Sequence, residues 1–151
     1  MKTCTTTLAV IGFVCLARGA IAADQTVDAY LGPRRMAGEV AIIVAQDHPF
    51  TTGKVSLRKI DGVPVDWPTS TVAVLPGPHT VQFAWTDGEA HSTYDLVLTI
   101  PAEAGRRYEV RATRASVNFV GMLIGAEVRG YAWVVDLATE EVVAGAKPPQ
   151  P

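Results

Sequence analysis

The fold is decided by residues 54–100, KVSLRKIDGVPVDWPTSTVAVLPGPHTVQFAWTDGEAHSTYDLVLTI. Apolar and polar side chains alternate along 54–60, which predicts a half-buried strand. Asp61-Gly62 predicts a turn after this strand, and the tight Pro76-Gly77-Pro78 turn ends a second strand at 71–75. Short strands separated by turn residues indicate a β-rich fold.

The second half of this stretch predicts a long β-hairpin. Its outgoing arm is 79–85 and its return arm is 94–100, with the turn pair Asp87-Gly88 between them. Each arm places apolar side chains on one face, so both rows are expected to face the same core. The two rows are Val81, Phe83 and Trp85 on the outgoing arm, and Tyr94, Leu96, Leu98 and Ile100 on the return arm.

The flanking sequence continues the pattern. Residues 39–46 are apolar on both faces, which favours a central strand covered on both sides. Residues 107–114 and 131–137 alternate again, and 142–143 form the second arm of a closing hairpin. The side chains predicted to point inward are Tyr108, Val110 and Ala112 in one strand, and Tyr131, Trp133, Val135 and Leu137 in the other.

With a short strand at 27–31, the chain has about eight strands, each followed by turn residues. The fold class predicted from this pattern is all-β, an antiparallel β-sandwich, with a partly open barrel as the alternative. Only 117–128 fits neither the strand nor the helix period. Because Gly121 and Gly125 would each cost about 1 kcal/mol inside a helix, a strand or loop packed on the sheet is favoured there.

The N-terminal residues have the features of a secretory signal peptide. A positive Met1-Lys2 start precedes an apolar run at 8–17, and Ala20-Ile21-Ala22 supplies small residues for cleavage after Ala22. The apolar run is shorter than the roughly 20 residues of a spanning helix, so an uncleaved anchor is the weaker interpretation. The predicted organisation is therefore a signal peptide at 1–22, a β-sandwich domain at 23–146 and a disordered Pro-rich tail at 147–151.

Cleavage also changes the chemistry of the chain. Cys4 and Cys15 leave with the signal, and Val14 before Cys15 does not fit a lipoprotein site, so the mature chain has no thiol chemistry. Loss of Lys2 and Arg18 lowers Lys+Arg from 13 to 11 against 15 acidic residues, which takes the net charge from −2 to −4. We therefore expect no general attraction to nucleic acid and no membrane span after cleavage.

The sequence offers no clear catalytic or metal-binding constellation. His48, His79 and His91 do not occur in paired ligand spacings, so a zinc site would need all three to converge from separate loops. Ser92 is next to His91 and Asp95 is nearby, but a hydrolase is not favoured because the sequence has no G-x-S-x-G motif. Nucleotide-binding glycine motifs do not occur either. No catalytic residue, metal ligand or cofactor is therefore predicted.

Three residues are the candidates for ligand binding. Arg107 and Arg111 share a strand face, which is either a solvated surface offset by Glu109 or a docking patch for an acidic partner or anionic glycan. Trp67 lies in a Pro-rich loop, where it either stacks on a sugar or partner, or caps the end of the sandwich. Trp85 and Trp133 fall on the predicted inward faces and are expected in the core.

Ile60-Asp61-Gly62, followed by Leu75-Pro76-Gly77-Pro78-His79-Thr80-Val81, resembles the PEGA-type module of bacterial envelope proteins. That module has a strand ending in an x-D-G turn, a second strand ending in a Pro/Gly turn, and then a "G-x-H-x-V" strand. The chain departs from the module between the two turns, where Gly62-Val63-Pro64 and Trp67-Pro68 replace the usual Gly-x-x-Pro. The resemblance covers about a third of the mature chain and implies an Ig-like or PEGA-like sandwich.

A second resemblance extends over more of the chain. Tyr30-Leu31-Gly32-Pro33-Arg34, Glu39-Val40-Ala41 and Trp133-Val134-Val135-Asp136, together with the two turn segments, are similar to a loose group of small exported proteins of Gram-negative bacteria. This resemblance implies a periplasmic or secreted location and no particular chemistry.

The function expected from these features is a binding or structural role in the periplasm or envelope, without catalysis. The expected partner is an envelope protein or a glycan. A small loop-assembled hydrolase or metal-dependent enzyme is one alternative. The other is an inhibitor or assembly-accessory protein that acts through an edge strand.

Overall fold

The computed structural model describes residues 26–48, 53–66, 68–87, 91–92, 95–114 and 130–149. Within these ranges the regular structure consists of strands, so the predicted all-β class is confirmed. In chain order they are β1 (Thr26–Asp28), β2 (Ala41–Ala45), β3 (Asp47–His48), β4 (Gly53–Ile60), β5 (Val63–Pro64), β6 (Thr71–Val74), β7 (Gly77–Thr86), β8 (Leu96–Ala102), β9 (Arg107–Arg114), β10 (Gly130–Asp136) and β11 (Val142–Gly145). The predicted signal peptide and the segment 117–128 lie outside the described residues.

The strands form two sheets. The six-stranded sheet has the order β1-β6-β2-β9-β10-β11, and the five-stranded sheet has the order β3-β4-β7-β8 with β5 also paired to β4. The predicted hairpin is present as β7 and β8, and the closing hairpin as β10 and β11. As predicted, β2 is a central strand.

The prediction of an antiparallel β-sandwich of about eight strands is too narrow. β1 pairs with β6 in parallel, and β2 pairs with β9 in parallel, so the six-stranded sheet is mixed. The prediction missed these pairs because they join strands that are distant in sequence. Turn residues indicate only that two consecutive strands are connected by a short turn. The described part also contains the short strands β3 and β5, which are below the length at which alternation is visible.

An apolar core lies between the two sheets. Its largest fully buried side chains include Tyr108, Ile43 and Phe83, and burying each of the apolar ones contributes about 1.5–3 kcal/mol. Trp85 belongs to this core, as predicted. The six-stranded sheet contributes Ala41, Ile43, Ala45, Val72, Val74, Tyr108, Val110, Ala112 and Val134, and the five-stranded sheet contributes Val55, Leu57, Ile60, Val81, Phe83, Trp85, Ile100 and Ala102.

Strand β8 continues beyond the point where the sequence predicted its end. The predicted return arm ends at residue 100, but pairing with β7 runs through Pro101 to Ala102. Pro101 lies opposite Pro78, and neither residue has an N–H to contribute. A proline is tolerated at such a position because the missing donor would not have pointed at the neighbouring strand.

The chain passes from one sheet to the other at Gln46, between β2 and β3. The Gln46 backbone N–H donates to the Val110 carbonyl at 3.0 Å, and its carbonyl accepts from the Val55 N–H at 2.9 Å. Its side chain accepts from the Ala112 N–H at 3.2 Å and donates to the Gly53 carbonyl at 3.5 Å. Gln46 is 1% exposed, so a buried polar residue hydrogen-bonds to both sheets at once.

Replacing Gln46 by methionine is expected to lower the free energy of unfolding by about 1–3 kcal/mol, because it leaves the buried Ala112 N–H without an acceptor. Gln82→Met is the matched control: Gln82 lies between inward residues of β7, and its partly exposed side chain is expected to tolerate the change within about 0.5 kcal/mol. Urea unfolding of both variants measures the difference. Equal losses in the two variants would contradict the role given to Gln46.

Candidate functional site

The residues that carry the PEGA resemblance meet in space. Asp61 lies in the turn between β4 and β5, and His79 lies near the start of β7. The Nδ1 atom of His79 is 2.6 Å from Asp61 Oδ2, and its Nε2 atom is 2.6 Å from the Leu75 carbonyl oxygen. Thr80 donates its N–H to Asp61 Oδ1 at 2.8 Å and accepts from the Asp61 N–H at 2.8 Å. We call Asp61, Leu75, His79 and Thr80 the turn clamp.

The local sequence explains why Asp61 reaches this position. Asp61 and Gly62 have φ angles of 51° and 81°, and Ile60 pairs with Val63 across them. A two-residue hairpin loop with both φ angles positive is a type I′ turn, for which Asp-Gly is a favoured pair. The turn therefore directs the Asp61 carboxylate toward β7, since β4 pairs with β7 on its other side.

In the turn clamp, the Asp61 carboxylate accepts hydrogen bonds from His79 and Thr80. A carbonyl oxygen only accepts hydrogen bonds, so His79 Nε2 must donate to Leu75, and Nδ1 donates to the Asp61 carboxylate. Burial by itself would raise the pKa of Asp61, but the hydrogen bonds from His79 and Thr80 and the charge of His79 outweigh it. The pKa of Asp61 therefore lies below its ordinary value of 3.8.

This arrangement suits a structural role. Both ring nitrogens of His79 are engaged in hydrogen bonds within the protein, so neither is available to bind a substrate or a metal. The sequence identified Asp61 and His79 only as turn and strand-start residues. Their contact was missed because it requires the register of β4 on β7, which pairs Ile60 with Val81.

The two candidate arginines share the outer face of β9, as predicted, but differ in their surroundings. Tyr108, Val110 and Ala112 point into the core, which leaves Arg107 and Arg111 on the opposite face. Arg111 pairs with Glu109, whose side chain is 13% exposed, and its guanidinium also lies 3.8 Å from a Glu140 carboxylate oxygen.

Arg107 is exposed and forms no ion pair with the described residues. It lies beside Ile42 in the parallel register of β2 on β9. Arg111 is therefore largely neutralised by carboxylates of its own chain, whereas Arg107 presents its charge to solvent. The structure thus separates two residues that the sequence treated as one row.

Trp133 and Val135 of β10 are buried, as predicted, but they do not lie on the face of β10 that packs between the two sheets. Trp133 is opposite Arg111 and Val135 is opposite Glu109, so both lie on the outer face, and Val134 faces the core. The error arose because both faces of β10 are apolar, so alternation does not tell them apart. Trp133 is nevertheless 7% exposed, and its indole N–H has no hydrogen-bond partner among the described residues.

The remaining candidates do not form a reactive site in the described structure. Ser92 exchanges hydrogen bonds with the backbone of Trp85, and His91 is exposed at a bridge to Thr86. Within the described ranges, no group of three or more His, Cys, Asp or Glu side chains is arranged to hold a metal ion. Trp67 and the cleavage residue Ala22 lie outside the described residues.

Replacing Asp61 by asparagine is expected to keep the type I′ turn and remove the charge, lowering the free energy of unfolding at neutral pH by about 1 kcal/mol for this half-exposed pair. Because folding lowers the pKa of Asp61, its contribution is present above the unfolded-state pKa and is lost as the pH falls through the folded-state pKa. The stability difference between the two proteins should therefore shrink as the pH is lowered from about 5 to about 2.

Denaturant unfolding across that pH range is the measurement. Asp66→Asn is the control, because Asp66 is exposed and its side chain makes no hydrogen bond or ion pair with the described residues. A stability difference for Asp61→Asn that does not change with pH would contradict the ionic description of the turn clamp.

Comparison of the chain with known proteins finds no matching family model, no similar curated protein and no similar solved structure. In the described part of the chain, no helix has the length and apolar character needed to cross a membrane. The residues of the chain itself are therefore the basis for proposing a function.

Proposed function

We propose that this chain is an exported, PEGA-like β-sandwich of the Gram-negative cell envelope that works by binding rather than by catalysis. The N-terminal charge, apolar run and Ala20-Ile21-Ala22 site support export to the periplasm or medium. The Asp-Gly and Pro-Gly-Pro-His segments support the PEGA-like assignment, because the turn clamp gives these residues a shared structural purpose.

One observation favours binding above the alternatives. His79, which could otherwise take part in acid–base chemistry, is held in internal contacts with Asp61 and Leu75. Arg107, in contrast, is exposed on β9 of the six-stranded sheet and forms no ion pair with any residue that the structure describes. A guanidinium in this position suits a carboxylate or another anionic group. We therefore propose that Arg107 contacts an anionic group on an envelope protein or glycan.

Export is tested by expressing the full-length chain with a C-terminal tag in a Gram-negative host and separating the cell fractions. The expected product begins at Ala23 and is released with the soluble periplasm, because the signal is cut after Ala22. N-terminal sequencing or intact mass identifies the cut. Full-length protein in the inner membrane would contradict export by a cleaved signal.

Binding is tested by sedimentation with insoluble peptidoglycan and by capture from a periplasmic extract, which separate a glycan from a protein partner. Replacing Arg107 by glutamine is expected to reduce retention in the positive assay at least about fivefold and to lower its sensitivity to salt. Arg58→Gln is the matched control, since Arg58 is an exposed arginine on a strand of the other sheet. Equal retention of both variants and the parent would contradict a role for Arg107.

A further inference from the structure

Strand β8 is an edge of the five-stranded sheet, and the turn clamp shows which of its backbone groups are free. Both backbone groups of Thr80 bond to Asp61, so they point away from β8. Thr99 lies opposite Thr80 in the antiparallel register. In such a pair the backbone groups of the two residues point away from each other, so the N–H and C=O of Thr99 point away from β7.

The same direction recurs every second residue along β8, at Val97 and Pro101. Pro101 has no N–H, and its carbonyl lies 3.4 Å from the Tyr108 hydroxyl, which donates to it. Val97 and Thr99 have no hydrogen-bond partner on this side among the described residues. We call the two N–H and two C=O groups of Val97 and Thr99 the β8 edge.

The side chains of β8 do not protect this edge. From Leu96 to Ala102 the strand contains no charged residue, and Pro101 is the only residue of a type that natural edges use to block pairing. Val97 is 54% exposed and Thr99 is exposed, while Leu98 is only partly covered by the core. The β8 edge therefore combines free hydrogen-bonding groups with incompletely buried apolar side chains.

We propose that the β8 edge pairs with the β8 edge of a second copy of this chain. In a twofold antiparallel arrangement, Val97 of each copy lies opposite Thr99 of the other, and Leu98 lies opposite Leu98. Each Val97–Thr99 pair exchanges two hydrogen bonds, so all four free groups of each copy are used. The two five-stranded sheets then form one continuous sheet.

The chemistry of β8 favours this occupant and this register. The pairing matches the two free residues to each other and places Asp95 opposite Pro101, so no like charges meet. A shift of two residues in one direction would place Val97 opposite Pro101, which lacks the required donor. A shift in the other direction would bring the charged Asp95 into the hydrogen-bonded region.

The purified chain is tested by sedimentation velocity over a wide concentration range, and a dimer is expected at micromolar concentrations. Thr99→Pro removes an N–H that β7 does not use, and Val97→Lys places a charge at the edge. Each change occurs twice in the dimer and is expected to raise the dissociation constant at least about tenfold. Val63→Lys is the matched control, because it makes the same change at an exposed valine on β5 and should leave the dimer intact.

A disulfide tests the register. In a background with Cys4→Ser and Cys15→Ser, Leu98→Cys should form an intermolecular disulfide, because directly opposed residues of a non-hydrogen-bonded pair have Cα atoms about 4.5 Å apart. Val142→Cys on β11, an edge of the other sheet, should remain monomeric on a non-reducing gel. A chain that stays monomeric throughout, a dimer unaffected by either edge variant, or a dimer without the Leu98→Cys disulfide would each overturn the proposal.

Discussion

The two-sheet architecture depends on the point where β2 leaves the six-stranded sheet and β3 enters the other. Gln46 occupies this point and bonds to β9 on one side and to β4 on the other. A buried amide is costly when its groups are unsatisfied, so this residue stabilises the crossing only with both sheets in place. Burial and hydrogen bonding thus favour one relative placement of β4 and β9.

The core complements this polar link. The six-stranded sheet contributes small side chains such as Ala41, Ala45 and Ala112 to the core, and the facing sheet contributes large ones such as Phe83. Trp85 lies against Gly53, where an added Cβ would come within 2.7 Å of the indole nitrogen. Close packing of this kind makes the interior sensitive to changes in volume, whereas the hydrogen bonds of Gln46 specify position.

The sequence predicted the strands whose two faces differ in polarity. In β4, β7 and β9 the apolar residues occupy one face, and their burial follows from alternation. Strand β10 has apolar residues on both faces, so the choice between Trp133 and Val134 depends on packing that no local pattern encodes. The site was only partly predictable for the same reason. Alternation placed Arg107 and Arg111 on one face of β9. It did not reveal that Glu140, on another segment of the chain, is one of the two carboxylates beside Arg111.

The turn clamp has a consequence for how this fold tolerates insertions. By holding both backbone groups of Thr80, Asp61 fixes the phase of β7, and pairing passes that phase to β8. A single residue inserted after Thr80 would exchange the inward and outward rows of both arms and would present the backbone of Leu98 instead of Val97 and Thr99. Changes in length should therefore be tolerated in the loop between β5 and β6, whereas insertions within β7 after Thr80 should not be tolerated.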